Sequence, residues 1–194
     1  MRTFVGAVAV FAAVVATAST ALAETKPAAA APAKPAAAKP SAPAAAPAGS
    51  PLLIAESKDW KAITAAGAKA KMCFAMSKPQ KMEPASVNHG EVVFFLNTRP
   101  SENVRNEPSL QVGYPLKDGA KVMVEIDAKK FAFFSRGDSA WLEQNADYAP
   151  FMEAMKKGSK MTAHATSGRG TATSYVFSLA GLSGALDAVA KECK

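Results

Sequence analysis

Lys121-Val122-Met123-Val124-Glu125-Ile126-Asp127-Ala128-Lys129-Lys130-Phe131-Ala132-Phe133 decides the fold class. Val122, Val124 and Ile126 alternate with Met123 and Glu125, a period of two that puts one apolar face on a strand. Phe131 and Phe133 resume the same alternation a few residues on. The spacing predicts a hairpin with Asp127 to Lys129 at its tip. Lys117-Asp118-Gly119-Ala120 supplies turn chemistry just before it.

The same pattern extends on both sides. Asp59-Trp60-Lys61-Ala62-Ile63-Thr64 alternates, and Lys71-Met72-Cys73-Phe74-Ala75-Met76 reads as a more buried strand. Glu91 to Asn97 is apolar on both faces, as in the middle of a sandwich. Leu110, Val112 and Tyr114 share one face of a strand that Pro115 ends. Toward the C-terminus, Met161 to Thr166 and Thr171 to Phe177 read as paired strands around the turn Ser167-Gly168-Arg169-Gly170. Two helices are expected. Asp147 caps one through Tyr148, Phe151, Met152 and Met155, ending at Gly158. Leu182, Ala185, Leu186 and Val189 form the apolar stripe of a C-terminal one. The expected fold is mainly β, an antiparallel immunoglobulin-like β-sandwich with one or two accessory helices, over residues 52–194.

The first 51 residues belong to neither layer. Arg2, a Val/Ala/Phe run from Phe4 to Ala18, and Ala21-Leu22-Ala23 form a secretory signal pattern with cleavage between Ala23 and Glu24. The apolar run is too short and Ala-rich for a preferred membrane anchor, so no anchor is expected once the signal is removed. Residues 24–51 are almost entirely Ala and Pro, without aromatic side chains for a core. They read as a disordered linker, extending at about 3.1 Å per residue in a polyproline-like form. Lys26, Lys34 and Lys39 would let that linker lie along an anionic surface.

The 194-residue chain has 23 Lys plus Arg against 16 Asp plus Glu, a net charge of +7. Of this, Arg2 contributes +1 and the linker, with Lys26, Lys34 and Lys39 against Glu24, contributes +2, leaving +4 on a mildly basic body and no nucleic-acid face. Two cysteines and two histidines rule out an all-Cys metal site and a three-His site within one chain. In an exported chain, Cys73 and Cys193 most economically form one disulfide, with a redox pair or two free thiols as the alternatives.

No G-x-S-x-G elbow, P-loop or dinucleotide fingerprint is present. His89 and His164 lack carboxylates at ligand spacing and read as structural. Neither a catalytic residue nor a cofactor is expected. Thr98-Arg99-Pro100 and Val104 to Pro108 read as a polar loop between strands. In it, Arg99 and Arg105 either receive a carboxylate or phosphate, or pair with Glu102, Glu107 or backbone carbonyls. Arg169 poses the same question at a hairpin tip. Trp60 and Trp141 read as packing residues.

These residues together resemble the invasion-associated locus B proteins of bacteria. The resemblance rests on Asp59-Trp60, the Cys73 strand with Ser77-Lys78-Pro79, Thr98-Arg99-Pro100, and Asn106-Glu107 before Gly113-Tyr114-Pro115. It continues through Phe151 to Gly158, Ser167-Gly168-Arg169-Gly170-Thr171, Ser178 to Gly181 and Cys193. It implies an exported β-rich protein, periplasmic or surface-associated, in which Cys73 and Cys193 match the family's paired cysteines. Pathogenic members give the family its name through a role in invading host cells, and no catalytic residues carry over. The expected function is non-enzymatic binding to an envelope or host protein or surface. The alternative is an envelope enzyme, or a modulator of one, with a site built from Arg99, Arg105, Arg169 and His89.

Overall fold

The structure, a computed structural model, describes residues 50–66 and 71–194. The leader, its cleavage point at Ala23 and Glu24, and the Ala/Pro stretch through residue 49 lie outside the described residues. The strands are β1 (Leu52–Ser57), β2 (Trp60–Ala66), β3 (Lys71–Ser77), β4 (Lys81–Glu83), β5 (Val93–Arg99), β6 (Val104–Gln111), β7 (Lys121–Ile126), β8 (Lys129–Arg136), β9 (Ser139–Leu142), β10 (Lys160–Thr166) and β11 (Ala172–Ser178). Two helices accompany them, α1 (Tyr148–Lys157) between β9 and β10, and α2 (Leu182–Glu192) at the end.

All strand pairs are antiparallel, in the order β1-β2-β3-β5-β6-β9-β8-β7-β10-β11-β4. In a flat sheet β5 and β11 would lie about 29 Å apart, at about 4.8 Å per strand. Yet the rings of Phe94 on β5 and Phe177 on β11 are 5.9 Å apart. The sheet therefore folds over itself into a sandwich around one core. An immunoglobulin-like sandwich keeps two separately bounded sheets. Here the layers are continuous, because β9 pairs with β6 on one side and β8 on the other.

The deciding hairpin forms as its alternation requires. Val122 pairs with Phe133 and Val124 with Phe131, and all four are buried. Its loop is Asp127-Ala128, with Asp127 at φ 53°.

Two expectations are corrected. The polar loop from Arg99 to Pro108 is only a short 3-10 turn, Pro100–Glu102, closed by Asn103 at φ 56°. Val104 to Pro108 belong to β6. Pro108 is tolerated there because β9 pairs with β6 only over Ser109 to Gln111, so the missing N–H removes nothing from that ladder. Asp147 does not cap α1 with its side chain. It already has helical dihedrals, as the last residue of a 3-10 turn over Asn145–Asp147, and so lacks the extended backbone of a cap.

Helix α2 buries Leu182, Ala185, Leu186 and Val189 and packs against β1, β2 and β3. It starts at Gly181, whose φ is 93°, where any Cβ would overlap the carbonyl of Ser57. The other end is held by the Cys73–Cys193 disulfide, with Cα atoms 6.0 Å apart across 120 residues of sequence. Lys71 also pairs with Glu192, and Arg105 donates from Nη1 to the Cys193 carbonyl.

Candidate functional site

The arginines singled out in the sequence have separate fates. Arg99 is held by two carboxylates, with Nε 2.7 Å from Glu102 and Nη2 3.0 Å from Glu107. The bond to Glu102 raises its pKa above the ordinary arginine value, burial opposes this, and Glu107 adds to the rise. Arg105 bonds the Cys193 carbonyl, while the Tyr148 hydroxyl donates to the Arg105 carbonyl at 2.6 Å. Arg169 is exposed at the β10–β11 turn. Arg105 and Arg169 open on different depressions, and Arg99 lines neither.

His89 is buried inside a chain of polar groups. Its Nε2 faces the Pro84 carbonyl at 3.0 Å and, in the neutral imidazole, carries the proton. Nδ1 then accepts from the Tyr175 hydroxyl at 3.1 Å. The Tyr175 oxygen accepts from Tyr114 at 2.6 Å, and the Tyr114 oxygen lies 2.6 Å from the Thr173 hydroxyl. Tyr114 and Thr173 line a cleft of about 560 Å³ shared with Arg169, whose lining holds no carboxylate. So Arg169 and the His89 chain approach one cleft, and Arg99 and Arg105 do not join them. His164 lies elsewhere, half exposed, 3.9 Å from Glu125.

Burial raises the Tyr175 phenol well above the ordinary tyrosine value, with a smaller rise from Tyr114. The unfolded phenol releases its proton near pH 10 while the folded one keeps it, so the unfolded state gains as pH rises. This contribution to stability is fully present below about pH 10 and is lost above it. Tyr175→Phe is expected to flatten the fall in denaturation midpoint between about pH 9.5 and 11.5, while costing about 1–3 kcal/mol at neutral pH by orphaning His89 Nδ1. Chemical unfolding across that range checks both effects, and an unchanged slope counts against the assignment.

The feature missed by sequence reading is aromatic. Trp60 is fully buried and donates from Nε1 to the Ser178 carbonyl at 3.0 Å, as a packing residue should. Trp141 is not core. It pairs with Phe134 across β8 and β9 on the outer face, and the two rings stack with centroids 5.6 Å apart and planes at 27°. Phe134 remains 45% exposed. Ala140 points into the core, so period-two alternation sends Trp141 outward. A four-residue strand is too short to show that in sequence. The pair borders a groove of about 690 Å³ that also takes in Arg105, Glu107, Arg136 and Glu143.

The family model described as Invasion associated locus B (IalB) protein matches residues 60–190. The chain belongs to this family. No curated protein and no solved structure matches it. In this invasion-associated locus B protein, two of the motif pieces quoted above clasp one another. The Asn106 backbone N–H donates to Thr98 Oγ1 at 3.1 Å, and Arg99 pairs with Glu107, so both pieces fix the start of β6 against β5. Tyr114-Pro115 and Ser167-Gly168-Arg169 lie together at the second cleft. Among the described residues, no helix is long and apolar enough to cross a membrane.

Proposed function

We propose that this invasion-associated locus B protein is exported and works without catalysis, by binding an envelope or host component in the periplasm or at the cell surface. Its binding face is the groove across β6, β9 and β8. The observation that carries this reading is the stacked Trp141–Phe134 pair, with Phe134 exposed and Trp141 half-buried beside it, on a sheet whose last helix is locked by a disulfide. Exposed aromatics on a rigid scaffold are what a binding face requires, since they give large contact area with little loss of conformational freedom. The Ala21-Leu22-Ala23 pattern and the disulfide both suit an oxidising compartment outside the cytosol. The family is not one of known enzymes, which agrees with a binding role.

Crosslinking in intact cells tests it. The wild-type chain should yield discrete adducts, and a Phe134→Ala/Trp141→Ala double variant should lose them while keeping its circular dichroism and its disulfide. Adducts unchanged in the double variant would remove the groove from the account. Mass spectrometry of the same material should find Glu24 at the N-terminus, and a cytosolic product retaining its leader would overturn export.

A further inference from the structure

We propose that the groove takes an acidic saccharide, with the apolar face of a sugar ring on the Trp141–Phe134 pair and its carboxylate on Arg136 and Arg105. This rests on the binding reading above and names the ligand class. Three observations carry it.

The first is charge. Both carboxylates in the groove are neutralised from outside it, Glu107 by Arg99 at 3.0 Å and Glu143 by Lys121 at 2.9 Å. Arg136 has no carboxylate partner among the described residues. Arg105 commits one donor to the Cys193 carbonyl and keeps the rest. The unmatched charge is therefore positive, and two guanidinium groups suit a planar carboxylate.

The second is the mixture of donors and acceptors. Glu107 and Glu143 remain acceptors, each with an oxygen beyond its ion pair. A fatty-acid carboxylate or a fully ionised phosphate has no hydrogen to offer them and leaves these acceptors unmatched. Sugar hydroxyls both donate and accept, so one ligand can serve the carboxylates, the arginines and the aromatic surface together.

The third is topology. A peptide bound as an added strand needs an open sheet edge. Beside Trp141 no edge is open, since β9 is paired on both sides over Ser139 to Trp141. β6 lacks a partner on the β9 side from Val104 to Pro108, but Pro108 has no N–H to offer a strand and the Arg105 carbonyl is already taken by Tyr148. The volume of about 690 Å³ falls in the usual range for small-ligand sites.

The test titrates the full mature chain with oligosaccharides carrying uronate, sialate or N-acetylmuramate, each beside its neutral methyl ester. Tryptophan fluorescence reads the site, because Trp60 is wholly buried and Trp141 is the indole at the groove. At least one acidic member should give a saturable change. Its methyl ester, and the Arg136→Gln variant, should each bind about tenfold more weakly, the effect of losing a charge-assisted hydrogen bond. Added salt should weaken the acidic ligand more than the ester. The proposal is overturned if no acidic member binds, if esters bind equally well, or if Arg136→Gln changes nothing. Should the in-cell adducts still depend on Phe134 and Trp141 while every acidic saccharide fails, the binding face stands and its ligand class falls.

Discussion

Replacing Cys193 with serine is expected to lower the unfolding free energy by about 4–5 kcal/mol, the chain-entropy value for a closed loop of this length. The two sulfurs are separated by 120 residues, so the unfolded chain gains a great deal of freedom when they part. Whole domains are stable by only about 5–15 kcal/mol, and the loss is correspondingly severe. It should fall first on α2, whose C-terminal end would keep the buried Val189, the Lys71–Glu192 pair and the Arg105 bond but no covalent tie. A half-exposed ion pair contributes about 0–1 kcal/mol and does not compensate. Urea unfolding of the oxidised chain, the reduced chain and Cys193→Ser measures the effect. The last two should coincide, well below the first. A variant within about 0.5 kcal/mol of the oxidised chain would show that the crosslink carries little of the stability.

Phe94→Ala is expected to cost about 3–5 kcal/mol, the range for removing a buried aromatic side chain. Phe94 is fully buried, and its ring meets Phe133 at 6.2 Å, Phe151 at 6.2 Å and Phe177 at 5.9 Å. Those partners sit on β8, α1 and β11, so one side chain joins both layers of the sandwich to a helix. The void left behind is walled by rings that cannot collapse into it without moving the sheet. Thermal unfolding should show a large drop in midpoint, whereas Phe134→Ala on the outer face should stay close to wild type. Similar midpoints for the two would contradict a core centred on Phe94.

Much of this architecture was legible because burial leaves a period in the sequence. β7 and β8 could be read from Val122 to Phe133, and β10 and β11 from their flanking turn, since each strand is long enough to alternate three times. α2 showed its stripe for the same reason. β4 and β9, with three and four residues, are too short to alternate visibly. The bend that brings β5 against β11 is a property of eleven strands together and has no local signal. The groove was illegible on the same grounds. It exists because β9 inserts between β6 and β8, out of chain order, and so sets Trp141 beside Phe134 and near Arg105. For Arg99 and Arg105 the sequence offered Glu102, Glu107 and backbone carbonyls as partners, and the structure pairs Arg99 with both carboxylates and Arg105 with the Cys193 carbonyl; that this distant carbonyl is the one has no local signal.

The span of the Cys73–Cys193 crosslink has one more result. Any single backbone cut between those positions leaves both fragments joined as one molecule, with its mass conserved apart from the added water. Among the described elements only β1 and β2 lie wholly before Cys73, so one cut can detach no others from the crosslinked body. The remaining nine strands and both helices form a unit that survives nicking, and a gel run without reductant would not betray the damage.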